Sequence, residues 1–473
     1  MTDSTDEILA QALGASSPRQ PSRRRKAPAA MLSGLLQRAA VVAVTAVAAT
    51  MAPGLFTTEA QAASPQLYGV QLHSLWSENT AADVDRQLDL LDRLGATTAR
   101  VDVGWSSLMT DGPGQISTWY RDRLDSLVAK ASARGLRLIV TLAETPCWAS
   151  SAPESLKLGC VGAWWDRDVT RYPPTRAADY GDAAAWVAAR YGSRIAALEV
   201  WNEPNHPDPA WARLLSADQA TAYAALVKAA YPAVKQVAPT LPLLAGAISF
   251  GDVAFVEALY ARGLKGFYDG LSIHPYNEWR APGSPHDPQW AKYDLVMGTE
   301  AVHNTMLAHG DLSPMWITET GWTTCVVGSS KPCVTEAQQA AYLEATLPIV
   351  QGWSFVRALV FYGLRNKGTD ARNSEHMYGM VRQDYSEKPA VAAVSRAFRA
   401  ATTASVPPTP SATPTPTPTP SATPTGSATP MATKRLRPRT RRFLVAREPI
   451  TTVRLVAGVS VASGTRLVLR SVG

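Results

Sequence analysis

Two glutamates lie in sequence contexts that suit acid–base chemistry. Glu203 belongs to the segment Leu198–Asn205, which reads LEVWNEPN, and Glu319 belongs to Trp316–Trp322, which reads WITETGW. Each segment begins with an apolar, β-branched run that predicts a strand, and Pro204 cannot continue a strand ladder. Both carboxyl groups are therefore expected where strands end and loops begin.

Two facing carboxyl groups flanked by tryptophans suit the hydrolysis of a glycosidic bond. One carboxyl protonates the leaving oxygen, the other attacks the anomeric carbon, and the sugar ring stacks on aromatic faces. A double displacement needs a separation of about 5–5.5 Å between them. This chemistry asks the two carboxyl groups to have different pKa values, because the acid must begin protonated and its partner ionised. The competing interpretation is that both are ordinary solvated glutamates. It is disfavoured because both residues lie at predicted strand ends.

The region 64–403 alternates between predicted strands and predicted helices. Strands are predicted at Leu67–His73, Thr97–Trp105, Leu136–Glu144, Ile195–Glu203, Leu241–Ser249, Leu271–Tyr276, Pro314–Trp322 and Ala358–Leu364. Helices are predicted at Ala81–Leu94, Trp119–Arg134, Ala177–Tyr191, Ala217–Ala238, Val253–Arg262, Ala291–His309, Thr335–Trp353 and Pro389–Ala401. This order predicts an α/β fold, a (β/α)8 TIM barrel with a single catalytic domain. A doubly wound open sheet is the alternative, but no Gly-rich phosphate turn supports it.

The active site of such a barrel lies at the carboxyl ends of its strands. Polar and aromatic residues occupy these predicted ends: His73, Asp102, Trp105, Glu144, Asn202, Glu203, His274, Tyr276, Glu319, Trp322 and Tyr362. Tryptophans in or near the predicted loops are candidate sugar platforms or core residues: Trp105, Trp148, Trp164, Trp165, Trp279, Trp290 and Trp322. Glu199 shares the strand parity of Glu203, so we expect it to pair inside the barrel with Arg100. The histidines show no H-E-x-x-H or close paired spacing, so the sequence predicts no metal and no cofactor.

The Trp-Asn-Glu-Pro-Asn of strand four and the Thr-Glu-Thr-Gly-Trp of strand seven resemble the clan A glycoside hydrolases, with families 5 and 39 nearest. The resemblance covers nearly all of 64–403. It implies a retaining double displacement in which Glu203 is the acid/base and Glu319 the nucleophile. With these roles we expect a raised pKa for Glu203, which must begin protonated, and an ionised Glu319. It also implies a cellulase-like or β-xylosidase-like enzyme that acts on a β-linked polysaccharide or oligosaccharide.

The same resemblance suggests residues that bind or orient the substrate. Asn202 corresponds to the residue that hydrogen-bonds the sugar 2-hydroxyl, and Arg100 to a cation that keeps the nucleophile ionised. His274 and Tyr276 match a His-x-Tyr motif that orients the nucleophile. Tyr362 stands where family 5 usually has tryptophan. Tyr362 therefore also belongs to the predicted set of residues that bind or orient the substrate, together with His73 and Trp322.

The amino-terminal residues 1–62 have the order of a secretory leader. A basic run at Arg23–Lys26 precedes an apolar stretch at 39–56, and Ala60–Ala62 reads as a small-x-small cleavage site. The sequence therefore predicts a secreted protein. A membrane anchor is the alternative, although Pro53 and Gly54 interrupt the apolar stretch. The leader is long, and Met31 remains an alternative start.

The four cysteines fall into two close pairs. We expect the local disulfides Cys147–Cys160 and Cys325–Cys333, since export permits disulfides and each bridge would close one loop. A zinc site built from all four cysteines is the alternative, but the chain lacks the C-x-x-C spacing of such sites.

Residues 404–430 form a Pro/Thr-rich segment that predicts an extended, disordered linker, and 431–473 form a basic tail. The formal net charge is +7, yet the tail carries +9 and the region 64–403 carries −4. The positive charge therefore lies outside the barrel, which argues against nucleic acid as a partner. The tail is a candidate for association with a cell wall, or a product of out-of-frame translation, and it receives no function here.

Three functional hypotheses follow. The first is a secreted, monomeric glycoside hydrolase with a carbohydrate substrate. The second is a non-catalytic carbohydrate-binding barrel at the cell surface, because a protein can keep an enzyme's fold without its catalytic activity. The third is a surface protein that holds an acidic wall or membrane through its basic tail.

Overall fold

The structure is a computed structural model that describes residues 66–404, except 208–213, 285, 327 and 330. Eight parallel strands close into a barrel in sequence order, and each strand pairs with its neighbours in the chain. The strands are β1 (Leu67–Leu72), β2 (Thr98–Gly104), β3 (Arg137–Ala143), β4 (Ile195–Val200), β5 (Leu243–Ser249), β6 (Gly270–His274), β7 (Met315–Thr320) and β8 (Val356–Phe361). The predicted (β/α)8 barrel is confirmed.

Helices connect these strands along the outside of the barrel. They are α1 (Ala81–Leu94), α2 (Trp105–Leu108), α3 (Thr118–Ala133), α4 (Glu154–Lys157), α5 (Ala177–Tyr191), α6 (Gln219–Val237), α7 (Val253–Ala261), α8 (Leu295–Ala308), α9 (Glu336–Gln351) and α10 (Pro389–Ala404). Short 3₁₀ turns lie at Leu158–Cys160, Trp164–Arg167, Val169–Arg171, Pro288–Tyr293 and Ser374–His376. The predicted helices α1 and α5 match their observed bounds, and most other predicted bounds shift by one to four residues.

Local side-chain chemistry explains where the helices begin. At α1, the Thr80 hydroxyl accepts a hydrogen bond from the Asp83 backbone N–H at 3.2 Å, and the Asp83 carboxylate accepts one from the Thr80 N–H. Thr335 and Gln338 form the same reciprocal cap at α9. Such a cap satisfies backbone donors that a helix start leaves unpaired. The helices therefore start close to the predicted positions.

The interior of the barrel changes character along its axis. Toward the amino ends of the strands it is apolar, with a buried cluster that includes Ile139, Leu244 and Trp316. One inward position further along, β3 presents Thr141 and β4 presents Glu199, and both are fully buried. Inside the barrel, a layer of polar side chains therefore lies on the carboxyl side of the apolar cluster.

Both predicted disulfides are present, Cys147–Cys160 in the loop after β3 and Cys325–Cys333 in the loop after β7. None of the described helices is long and apolar enough to cross a membrane. The predicted leader (1–62), linker (404–430) and tail (431–473) lie outside the described residues, apart from Ala404, which ends α10.

Candidate active site

Glu203 and Glu319 lie at the carboxyl end of the barrel, as their motifs predict. Glu319 is part of β7, and Glu203 follows β4 in a backbone with φ of 44°. The preceding Trp201 also has positive φ, and the Glu203 N–H donates to the Ala247 carbonyl of β5 at 2.9 Å. Positive φ is costly for these residues, and such strain concentrates at functional sites. The chain therefore departs from regular strand geometry where it aims Glu203 inward.

The two carboxyl groups face each other around a shared histidine. His274, at the end of β6, has Nδ1 3.0 Å from Glu203 Oε1 and 3.7 Å from Glu319 Oε2. One carboxylate oxygen of each glutamate and one His274 nitrogen all lie within 4.8 Å of one another. Both glutamate side chains are mostly buried, with 14% of Glu203 and 9% of Glu319 exposed. A single bound group can therefore contact both carboxyl groups at once.

Arg100 of β2 organises the polar layer beneath this pair. Its fully buried guanidinium donates from Nη1 to Glu319, from Nε to Glu199 at 2.7 Å, and from Nη2 to Asn202 at 2.7 Å. Gln71 of β1 accepts a further bond at 3.0 Å. Burial lowers the pKa of Arg100, but the charges of Glu199 and Glu319 outweigh it and the net pKa is raised. The predicted interior pairing of Glu199 with Arg100 is confirmed.

Two tyrosines complete the surroundings of Glu319. The Tyr276 hydroxyl donates to Glu319 Oε2 at 2.8 Å, and burial raises the pKa of Tyr276 well above its usual range, so it stays a neutral donor. Tyr362 follows β8 and meets the Tyr276 ring edge-on, with centroids 6.3 Å apart. The peptide between Tyr362 and Gly363 is cis. Arg100 and Tyr276 thus hold the two oxygens of Glu319 from different sides.

The protonation of Glu203 differs from the sequence prediction. Burial raises the pKa of its carboxyl, but the hydrogen bond and charge of His274 outweigh this, and the net pKa is lowered. Burial lowers the pKa of His274, whereas the charge of Glu319 and the bond to Glu203 raise it, and the net direction is up. The predicted raised pKa of Glu203 is therefore wrong for the free protein. Both directions favour an ionised Glu203 carboxylate next to a protonated His274 ring.

The cleft above these residues has a volume of about 650 Å³. The chain segments that line it follow all eight strands, and they include Glu203, Glu319, Asn202, Tyr276, Tyr362 and His73. The disulfide-closed loop after β7 contributes Lys331 and Pro332 to one wall. A space of this size and polarity matches an ordinary small-molecule or oligomer site.

The chain belongs to glycosyl hydrolase family 5. The model of that family, described as cellulase, matches residues 57–356. None of the curated proteins matches the sequence significantly.

Solved structures show the same fold. A family 39 glycoside hydrolase from Bacteroides cellulosilyticus WH2 is 23% identical with a TM-score of 0.52, over 71% of this chain and 64% of that one. This chain therefore spans less than two thirds of that protein. GH5_18 from Streptomyces cattleya, solved in complex with GlcNAc, is 19% identical with a TM-score of 0.52, over 75% and 83%. The exo-β-1,4-mannosidase Op5Man5 from Opitutaceae bacterium strain TAV5 is 17% identical with a TM-score of 0.51, over 73% and 61%.

His73 lines the cleft, whereas Trp322 does not. His73 directly follows β1, and its Nδ1 lies 3.4 Å from Asp102 Oδ2. Trp322 is 1% exposed, and its indole N–H donates to the Arg280 carbonyl at 2.8 Å. Its ring packs against Tyr342 of α9. The expectation that Trp322 contacts substrate is wrong for this structure, because the loop after β7 turns the ring toward the helix layer.

Two tryptophans outside the predicted set line the cleft instead. Trp76, in the loop after β1, and Trp119, at the start of α3, are 37% and 57% exposed. The candidates Trp165, Trp279 and Trp290 are exposed but lie outside the cleft lining. Position in a predicted βα loop was a usable signal for Trp76, whereas Trp119 resembled an ordinary helix residue.

Glu144 is a further carboxyl in the cleft. It follows β3 with φ of 69°, and the Ser106 hydroxyl donates to its Oε2 at 3.0 Å. Desolvation between the cleft walls raises its pKa, although solvent still reaches the side chain. Glu144 therefore faces the space that a substrate would occupy.

Among the described residues, one group of side chains could offer ligand atoms to a metal ion: Glu203, His274 and Glu319. The same Glu319 carboxylate is already paired with the buried guanidinium of Arg100. A divalent cation bound there would lie close to this positive charge, which opposes its binding. The arrangement suits proton transfer and nucleophilic attack better than metal coordination.

Proposed function

We propose that this family 5 member is a retaining glycoside hydrolase that cleaves a β-linked polysaccharide or oligosaccharide by double displacement. The observation that carries the proposal is the approach of Glu203 and Glu319 oxygens within 4.8 Å. Inverting enzymes separate their carboxyl groups by about 6.5–9.5 Å to admit a water molecule. The shorter distance favours direct attack by one carboxylate on the sugar.

In this proposal Glu319 is the nucleophile. Arg100 and Tyr276 each donate to one of its oxygens, which fixes the orientation of the carboxylate. Attack on the anomeric carbon forms a glycosyl ester with Glu319 and releases the leaving oxygen. Asn202 is held by Arg100 next to this position and is the candidate partner of the sugar 2-hydroxyl.

Glu203 delivers the proton, and His274 supplies it. The charge of Glu319, 3.7 Å from His274 Nδ1, favours the imidazolium in the free protein. That charge disappears as Glu319 forms the ester, so the imidazolium loses its main electrostatic support. The proton then moves across the 3.0 Å contact to Glu203 and on to the leaving oxygen. In the second step Glu203 takes a proton from water, which hydrolyses the ester.

The substrate class rests on the cleft and on the neighbouring folds. The cleft offers two exposed tryptophans, Trp76 and Trp119, as stacking surfaces for sugar rings. The similar structures include the mannosidase Op5Man5. They also include a glucosidase from Croceicoccus marinus, which is 15% identical with a TM-score of 0.53 over 71% of this chain and 68% of that one. We propose a neutral β-linked glycan as the substrate.

The decisive experiment is a hydrolysis screen of the full-length protein over aryl β-glycosides and linear β-glucan, β-mannan and β-xylan. We expect hydrolysis of at least one substrate, with the β-anomer as the first product seen by proton NMR. Glu319→Ala should abolish turnover while sugar binding survives. First formation of the α-anomer would contradict the double displacement, and no hydrolysis of any substrate would favour the non-catalytic carbohydrate-binding barrel.

We further propose that the protein is exported. The two disulfides support this, because disulfides persist mainly in oxidising compartments. Expression of the full chain in a secreting host should release a mature protein whose amino terminus lies close to Ala63. Retention of residues 1–62 on the recovered protein would contradict the proposal.

A further inference from the structure

A second, smaller cavity opens beside the cleft, between the loops that follow β1 and β8. Its volume is about 180 Å³. It shares His73, Trp76, Glu78 and Lys367 with the cleft, so the two spaces adjoin. The rings of His73 and Trp76 stack with centroids 4.1 Å apart. These two rings therefore form a partition between the cleft and this side cavity.

The partition stands next to the proposed catalytic centre. The His73 ring meets the Tyr362 ring edge-on at 5.7 Å, and Tyr362 in turn meets Tyr276, which donates to Glu319. Lys367 Nζ lies 4.8 Å from the Tyr362 ring centroid and 5.5 Å from that of Trp76. The side cavity therefore borders the space above Glu319.

The wall of the side cavity is polar but balanced in charge. Its charged groups are two acids and two bases, Glu78, Asp83, Arg365 and Lys367. Amide side chains make up much of the remainder. Because the formal charges cancel, neither an anionic nor a cationic ligand gains from the net charge of the wall. Mixed donors and acceptors without net charge suit a neutral group that carries several hydroxyls.

Both ring nitrogens of His73 in this partition are buried and form no hydrogen bond with the described residues. Nδ1 lies 3.4 Å from Asp102 Oδ2, and Nε2 has no such charged neighbour there. Burial lowers the pKa of His73, and an imidazole nitrogen can pair with a hydroxyl group. A buried polar atom without a partner costs free energy, which a ligand can recover.

We propose that the side cavity binds a single neutral sugar that branches from the main chain of the substrate. The inference rests on the proposed glycosidase function and adds a preference to it. The main chain lies in the cleft, and the branch passes beside the stacked rings of His73 and Trp76. Two hydrogen bonds gained in the side cavity correspond to roughly tenfold in kcat/KM.

The test compares branched and linear glycans on matched backbones with the full-length protein. The pairs are xyloglucan against linear β-glucan, galactomannan against mannan, and arabinoxylan against xylan. On the backbone that is cleaved fastest, we expect kcat/KM for the branched glycan to exceed that for the linear one about tenfold. Equal cleavage, or faster cleavage of the linear chain, would overturn the branch site. No cleavage of any glycan would instead overturn the proposed function.

Gln383 provides the variant that isolates the side cavity. It lines this cavity but not the cleft, and its backbone carbonyl, which accepts from Arg365 at 2.7 Å, survives substitution. Gln383→Phe should narrow the cavity and bring the branched-to-linear ratio close to one, with linear cleavage within about twofold of wild type. Gln383→Ala, which removes only the amide, should lower the ratio severalfold. Gln236→Phe, at an exposed position of α6, is the matched control. An unchanged ratio in both Gln383 variants would refute the proposal.

Discussion

Replacing Arg100 by methionine removes one buried charge while keeping a side chain of similar length. In the wild type this guanidinium donates to four acceptors: Glu199, Glu319, Asn202 and Gln71. Glu199 is fully buried and Glu319 nearly so. Arg100→Met therefore leaves two carboxylates in the barrel interior without their cation.

The expected cost follows from this burial. Removing one partner of a buried ion pair typically destabilises a protein by about 3–5 kcal/mol, because the remaining charge is desolvated and unpaired. We expect the free energy of unfolding to fall by an amount in this range at pH 7. Thr141 still donates a hydrogen bond to Glu199, and the charge of His274 still acts on it, but neither replaces the guanidinium. The matched surface change is Arg93→Met, which breaks the exposed pair with Glu387 and should cost about 0–1 kcal/mol.

The pH dependence has a defined sign. Burial raises the pKa of Glu199, but the charges of Arg100 and His274 hold the net pKa below its ordinary value. This contribution to stability is present above the unfolded pKa of about 4.3 and is lost as the pH falls through the lower folded pKa. Without Arg100 the pKa of Glu199 rises, so acidification protonates it and relieves the cost. The difference between the two proteins should therefore shrink from pH 7 toward about pH 4.

Urea denaturation followed by tryptophan fluorescence, with both disulfides oxidised, measures the free energy of unfolding at each pH. The reasoning is refuted if Arg100→Met costs less than about 1 kcal/mol at pH 7. It is also refuted if the difference from wild type stays constant with pH.

Further predictions concern the reacting groups. Tyr276→Phe removes a charge-assisted bond worth about 1.5–3 kcal/mol, so kcat/KM should fall roughly 10- to 150-fold with little change in stability; an unchanged rate would exclude a role in holding Glu319. Glu203→Ala should slow substrates with poor leaving groups about 10²–10⁴-fold while sparing dinitrophenyl glycosides, and equal losses would contradict the acid role. His274→Asn should move the basic limb of the kcat/KM profile to lower pH, because a carboxyl alone then holds the proton; an unmoved limb would contradict proton sharing.

Much of the fold could be predicted because its signals are local. Alternating apolar runs and helical patterns depend on neighbours a few residues apart, and the helix starts at Thr80 and Thr335 depend on their own side chains. The cysteine pairs are separated by 13 and 8 residues, so each bridge closes a single loop. The strand-end positions of Glu203 and Glu319 follow from the same local patterns.

Several features of the site have no local signal. Trp322 and Trp76 both follow strands, yet one is buried against α9 and the other lines the cleft. Which outcome occurs depends on where the loop turns and on the helix that packs beside it. A single sequence does not record those distances.

The sequence by itself determined the barrel, the position of the two glutamates and the cysteine partners, because each depends on residue types and short spacings. Tertiary structure decided the direction of the pKa shift of Glu203. His274 comes from another strand, 71 residues away along the chain, and the 3.0 Å contact reverses the effect of burial on the pKa of that carboxyl. Electrostatic energies depend on distance and solvent access, and only the closed barrel sets both.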